Sequence, residues 1–317
     1  MAMFEVFSHP ELRRYKTSVV SKASILMLAI LALTFIPPLL VVYRSYGFWL
    51  REASYREQPK VAFKKEFIMV LDLQNSAGGD SIVYSTFQQY NNLLQSKLRI
   101  PIIKAREDDL NHDGKYDRLD LNIEVPMLAT DQVVGVKLLL FFYYRLRRFS
   151  QFHMESLAYI EHSSGVSGSS LQVFSDLSLQ QKQLLGHKGT DRRYNGSLVN
   201  ETQVYADVYS MSTIFRKYSE RNVTTYLQDP LKVWSTGRAA DAPFRISTLI
   251  NYPEQQVFYA PGFWYLIKWG WIQYASVLLI FLYIFNKVKV FVFQHQIVAT
   301  VVAGPSQTHV GIKDKFS

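Results

Sequence analysis

"VVGVKLLLFFYYRL", residues 133–146, is the stretch whose reading decides how this chain is built. As a membrane segment it would add a span; as a strand it becomes the buried centre of a folded domain. Its apolar part, from Gly135 onward, would rise only about 18 Å as a helix, against roughly 30 Å of hydrocarbon. It also carries Lys137. Valine, phenylalanine and tyrosine suit a pleated sheet, so a buried strand is expected.

The rest of the chain has a membrane character nonetheless. Of 317 residues, 48% are hydrophobic and 19% are charged, below the roughly 25% charge of an ordinary soluble domain. Residues 23–43, "ASILMLAILALTFIPPLLVVY", lie between Lys22 and Arg44 and are long enough as a helix to cross one hydrocarbon core. Pro37 and Pro38 should loosen its last turns. A cleaved signal peptide would have a shorter apolar run, an earlier start and a small-x-small cleavage site, so a retained signal-anchor helix is expected. Residues 263–285 form a second span, its first half crowded with Phe263, Trp264, Tyr265, Trp269, Trp271 and Tyr274, as in an interfacial aromatic belt. Lys268 is close enough to the end to snorkel. The expected organisation is a tail (1–22), a helix (23–43), a β-rich domain (44–262), a helix (263–285) and a second tail (286–317).

Two spans put both tails on one side of the membrane. Each tail carries four Lys or Arg, with three acids between them, whereas 44–262 holds 26 basic and 23 acidic residues. That contrast favours cytosolic tails. Three N-glycosylation sequons, at Asn195, Asn200 and Asn222, all fall in the central segment and favour an exoplasmic domain. With no cysteine anywhere, disulfides, thiol catalysis and cysteine-ligated zinc are excluded.

Between the spans, strand-like runs recur at 63–73, 81–87, 98–105, 119–125, 133–146, 153–162, 169–179 and 244–252, with a short helix at 211–222. Their alternation and spacing imply an all-β, sandwich-like domain flanked by two transmembrane α-helices. Between two of these strands lies "DDLNHDGKYDRLD" (108–120). Asp109, Asn111, Asp113, the Lys115 carbonyl, Asp117 and Asp120 fall at positions one, three, five, seven, nine and twelve of a calcium loop, with Gly114 at six. Aspartate at twelve in place of glutamate would make calcium a weak, structural ion. A turn whose Asp and Asn side chains cap their own backbone explains the same residues.

No catalytic constellation emerges. The seven histidines form no His-Glu-x-x-His pair, "GVSGS" (165–169) misses a nucleophile elbow, and there is no glycine-rich phosphate loop. "RRYK" (13–16) suits lipid headgroups or an acidic partner. "YRLRRF" (144–149) reads as a strand end, and on the exoplasmic side it could not meet nucleic acid.

"FSHPELRRY" (7–15), "FIPPLLVVYRSYGFWL" (35–50), "REDDLNHDGKYD" (106–117), "ERNVTTYLQDP" (220–230), "GRAADAPF" (237–244) and "YAPGFWYLIKW" (259–269) strongly resemble the transmembrane protein 231 family, in order and over essentially the whole chain. The resemblance implies a non-enzymatic membrane component of the Meckel-syndrome-type complex at the ciliary transition zone. It implies tectonic-family and other transition-zone membrane proteins as partners in a hetero-oligomeric complex. A calcium- or ligand-binding receptor or adhesion module is the alternative. In "GRAADAPF" an Arg238–Asp241 pair is expected to support a close-packed turn.

Overall fold

Residues 133–146 form one strand along their entire length, and both of its faces are buried. Leu138, Leu140, Phe142 and Tyr144 enter one core, while Leu139 and Phe141 enter another on the opposite face. Lys137 escapes burial by pairing with Asp72 at 2.9 Å.

The computed structural model describes residues 13–46, 50–74, 80–201, 203 and 205–303. In chain order its elements begin with β1 (Arg14–Lys16), α1 (Lys22–Arg44), β2 (Ala53–Glu57), β3 (Lys60–Leu73), β4 (Ser81–Ser85) and α2 (Gln88–Leu93). Next come β5 (Ile102–Asp108), β6 (Arg118–Val125), β7 (Val133–Leu146), β8 (Gln151–Ser163), β9 (Gly168–Gln181) and β10 (Thr190–Tyr194). The remainder are α3 (Met211–Ser219), β11 (Val223–Thr236), β12 (Phe244–Asn251), β13 (Gln255–Tyr259), α4 (Phe263–Gln294) and β14 (Val301–Ala303). They group into two compact units, Arg51–Gly262 and the two flanking segments together.

The central unit is a β-sandwich. One sheet has the order β10-β8-β7-β3-β4 and the other β11-β9-β12-β6-β5. Strictly alternating burial along β6 turns Leu119, Leu121, Ile123 and Val125 inward, where they meet the inner face of the first sheet in the main core. The β2–β13 pair adds Tyr55, Val257 and Tyr259 to it. Over the outer face of the first sheet lie Phe87, Leu198, Val199, Tyr209 and Ile214. These come from the segments around α2 and α3, so this sheet is covered on both sides. On the second sheet's outer face, Phe174, Val233 and Leu231 remain 42%, 49% and 68% exposed.

Each of the eight expected strands overlaps an observed one, and 133–146 agrees end to end. Strand β5 starts later than expected, at Ile102, because Pro101 has no N–H for the ladder. Six strands (β1, β2, β10, β11, β13 and β14) and helix α2 had no clear sequence signal. The longest, β11, is interrupted by Asp229-Pro230, which argues against a strand. In the fold β11 is an edge strand, and its register shifts between Gln228 and Leu231. Asp229 turns to φ +45° there, which accommodates the proline.

In the other unit, α1 packs on α4 through Ala23, Ile30, Thr34, Pro38 and Val42 on one side and Gly270 on the other. A glycine lets two backbones approach closely. Helix α1 continues through both prolines to Arg44, and the Tyr274 hydroxyl donates to the Phe35 carbonyl at 3.4 Å. Helix α4 runs to Gln294, nine residues beyond the expected end at 285. Both helices are long and apolar enough to cross a membrane.

Candidate functional site

The Asp-rich loop hangs between β5 and β6, whose antiparallel register pairs Asp108 with Arg118. Its first half turns on itself. Asp109 accepts from the Gly114 N–H at 2.9 Å, Asn111 from the Asp113 N–H at 3.0 Å, and Asp113 from the Lys115 N–H at 2.9 Å. Gly114 sits at φ +82°, where a side chain would be strained. Asp117 closes the loop by accepting from the Leu110 N–H at 2.6 Å and from Gln58 at 2.7 Å. Those bonds, the Gln58 one first, hold its carboxyl below the usual carboxylate range.

The structure brings Asp109, Asn111, Asp113 and Asp117 into one turn but does not bring Asp120 with them. Asp120 lies on β6 opposite Arg106, and its carboxylate accepts from Asn122 at 2.8 Å. Ladder register fixes it on the strand face, so it leaves the candidate donor set. Among the described residues, no group of three or more His, Asp or Glu is arranged to hold a metal ion.

Asn195, Asn200 and Asn222 are all exposed, and the segments that carry them contribute Tyr194, Leu198 and Arg221 to a buried polar knot that local sequence does not reveal. Glu155, inside β8 and 2% exposed, pairs with Lys64 at 3.2 Å and accepts from the Leu198 N–H at 3.0 Å. Lys64 also pairs with Glu66 at 2.8 Å. Arg221 donates to the Glu155 carbonyl at 2.7 Å and lies over the rings of Tyr194 and Tyr218. The Tyr194 hydroxyl accepts from the Asn222 N–H at 3.2 Å, placing the first and third sequons beside each other. Burial pushes the Glu155 carboxyl up, and the opposing pull of Lys64 and the Leu198 N–H leaves it raised on balance. The only local hint was Arg221 within "ERNVTTYLQDP".

"GRAADAPF" forms a supporting turn, but by other contacts than an Arg238–Asp241 pair. The Arg238 guanidinium donates to the carbonyls of Ala242 at 2.9 Å and Ala240 at 3.1 Å. It also donates to those of Leu128 at 2.9 Å and Asp131 at 2.6 Å, on the loop before β7. Four converging carbonyls satisfy a planar fork better than one exposed carboxylate does. Arg238→Ala is therefore expected to cost about 1–3 kcal/mol. Ala240→Leu, at an exposed position, should stay within about 0.5 kcal/mol. Thermal melts of the two purified full-length variants check this, and equal shifts would refute the clamp.

Two membrane-crossing helices with one β-sandwich between them define the class: a two-span membrane protein whose bulk is a single β domain. The sequence model for "Transmembrane protein 231" matches residues 1–302, and the chain belongs to that family. It is 48% identical to transmembrane protein 231 of Xenopus tropicalis over 305 residues, 96% of this chain and 97% of that one. It is also 48% identical to the Homo sapiens protein over 301 residues, 95% of each. Among solved structures, the cryo-EM structure of a proton-activated chloride channel aligns over 86% of this chain and 98% of that one. Its TM-score is 0.25 and its identity 8%, so it places neither fold nor function.

Proposed function

We propose that this chain is a structural component of the ciliary transition zone. There it assembles with tectonic-family and other membrane proteins into a hetero-oligomeric barrier that controls ciliary membrane composition. Membership of the transmembrane protein 231 family over nearly the whole chain carries this reading. In it, both tails are cytosolic, and the β domain is exoplasmic and bears glycans on Asn195, Asn200 and Asn222.

The unequal faces of the sandwich support an assembly role. The second sheet presents Phe174, Leu231 and Val233 to solvent, and register places Phe174 directly opposite Leu231. Affinity purification from ciliated cells, with subunits identified by mass spectrometry, tests the proposal. Wild-type protein should recover other transition-zone membrane proteins, and Phe174→Asp with Leu231→Asp should lose them at normal abundance. Recovery of no membrane partner by the wild type would refute the scaffold.

Calcium belongs to the same proposal as a weak structural ion in the 109–117 turn, without Asp120. The turn at Gly114 favours it. Full-length protein in detergent should then melt higher in millimolar calcium than in chelator, and Asp113→Ala should remove the difference. Equal melting would leave a turn held by its own Asp and Asn side chains capping backbone N–H groups.

A further inference from the structure

The described residues of the helical unit, 13–46, 50 and 263–303, include eight Lys or Arg and not one Asp or Glu. Arg13, Arg14, Lys16, Lys22, Lys287 and Lys289 gather at one end of the helix pair, and no carboxylate among the described residues pairs with them. The end is structured rather than frayed. Strand β1 pairs antiparallel with β14, and Tyr15 packs on Phe293 of α4 with ring centroids 5.8 Å apart.

Beside these contacts lies an open cleft of about 600 Å³, lined by Arg13, Tyr15, Asn286, Lys289, Phe293 and Gln294 together with Val290. Its α4 wall is a helical stripe, since 286, 289, 290, 293 and 294 recur at three- and four-residue spacing. Its other wall is one side of an extended segment, where alternation sends Arg13 and Tyr15 inward and Arg14 and Lys16 away. A guanidinium, an ammonium and two carboxamides thus line one polar hollow, with an aromatic floor.

We infer that this cleft binds the headgroup of a polyphosphorylated phosphatidylinositol. The extension of α4 past residue 285 rises about 14 Å, which carries the cleft from the hydrocarbon into the headgroup layer. Several donors fixed on two elements suit a ring bearing more than one phosphate better than a single phosphodiester. Basic pockets at the cytosolic ends of membrane helices take such headgroups. The inference rests on the proposed cytosolic placement of the tails, the side where these lipids are displayed.

The probe is a fluorescent bisphosphorylated phosphatidylinositol bound to full-length protein in phosphatidylcholine nanodiscs. It should bind about tenfold more tightly than phosphatidylserine at matched charge. Arg13→Gln with Lys289→Gln should lower that affinity about tenfold, and Arg14→Gln with Lys16→Gln, which removes equal charge, less than about threefold. Equal losses from the two double variants, or equal affinity for phosphatidylserine, would overturn the cleft in favour of diffuse attraction. Soluble inositol trisphosphate should compete only at much higher concentration; competition at equal concentration would make the ligand a free phosphate instead. Asn286→Leu keeps the charge and should still reduce the preference for the phosphoinositide. Unchanged helical circular dichroism verifies that each variant is folded. Nanodiscs expose both leaflets, so failure here is distinct from failure of the topology, which protease protection of terminal tags reports.

Discussion

Full-length protein carrying Phe142→Ala is expected to lose about 3–5 kcal/mol of stability. Phe142 is fully buried at the centre of β7, with ring centroids 5.5 Å from Phe63 and 6.2 Å from Tyr252. Those partners come from β3 in the same sheet and from the end of β12 in the other, so the ring fills space that both sheets define. Ladders on either side of β7, to β3 and β8, hinder the backbone from collapsing into the cavity. The neighbouring Tyr143 is 42% exposed, and Tyr143→Ala should cost about 1 kcal/mol or less. Thermal melts of the two variants in one detergent provide the comparison. Similar shifts would mean that β7 is not the centre of the core.

Lys64→Met should cost about 3 kcal/mol, the lower end for removing one partner of a buried ion pair. The ammonium is 8% exposed and shared between Glu155 and Glu66. Burial pushes its pKa down, but the bonds to Glu66 and Glu155 leave it raised, so the charged form is the native one. Its removal strands a carboxylate inside β8, where the Leu198 N–H still donates but the remaining guanidinium, that of Arg221, is engaged with the Glu155 main-chain carbonyl. Because burial already raises Glu155, the variant's native state takes up a proton more readily than its unfolded chain. Stability of the variant should therefore rise relative to wild type as pH falls from neutral toward about 5, narrowing the gap. Glu66→Gln, at a position 24% exposed, should cost about 1 kcal/mol or less. A gap that does not depend on pH would refute an ionised Glu155 as the source of the penalty.

Both results depend on features of different legibility. Phe142 could be read from its neighbours, because an apolar run too short to span a membrane and rich in β-formers has few other uses. Nothing local marks Lys64 and Glu155 as partners. They are 91 residues apart and meet only because β3 and β8 flank β7 in one sheet. Strand β11 was obscured by Asp229-Pro230, since a proline is tolerated only when a strand lies at an edge or bulges, and edge position is a property of the sheet. The Asp-rich turn was legible because its bonds span two to seven residues, whereas the place of Asp120 on β6, opposite Arg106, is set by cross-strand register. Arg238 could be located as a turn residue, but its acceptors on residues 128 and 131 lie more than a hundred positions away.

By itself, the sequence determined what depends on length and local pattern. Two stretches long enough for hydrocarbon, a strand-rich segment between them, a tight acidic turn that suits either calcium or its own backbone, and membership of a family all follow from neighbours along the chain. Tertiary structure alone decided which sheet is covered on both faces and which lies bare. It also decided where a proline can sit in a strand, which buried charges meet, and that the β1 segment and α4 together line a basic cleft. Those outcomes depend on contacts between distant segments, whose free energy appears only when the chain is folded and water is excluded between them.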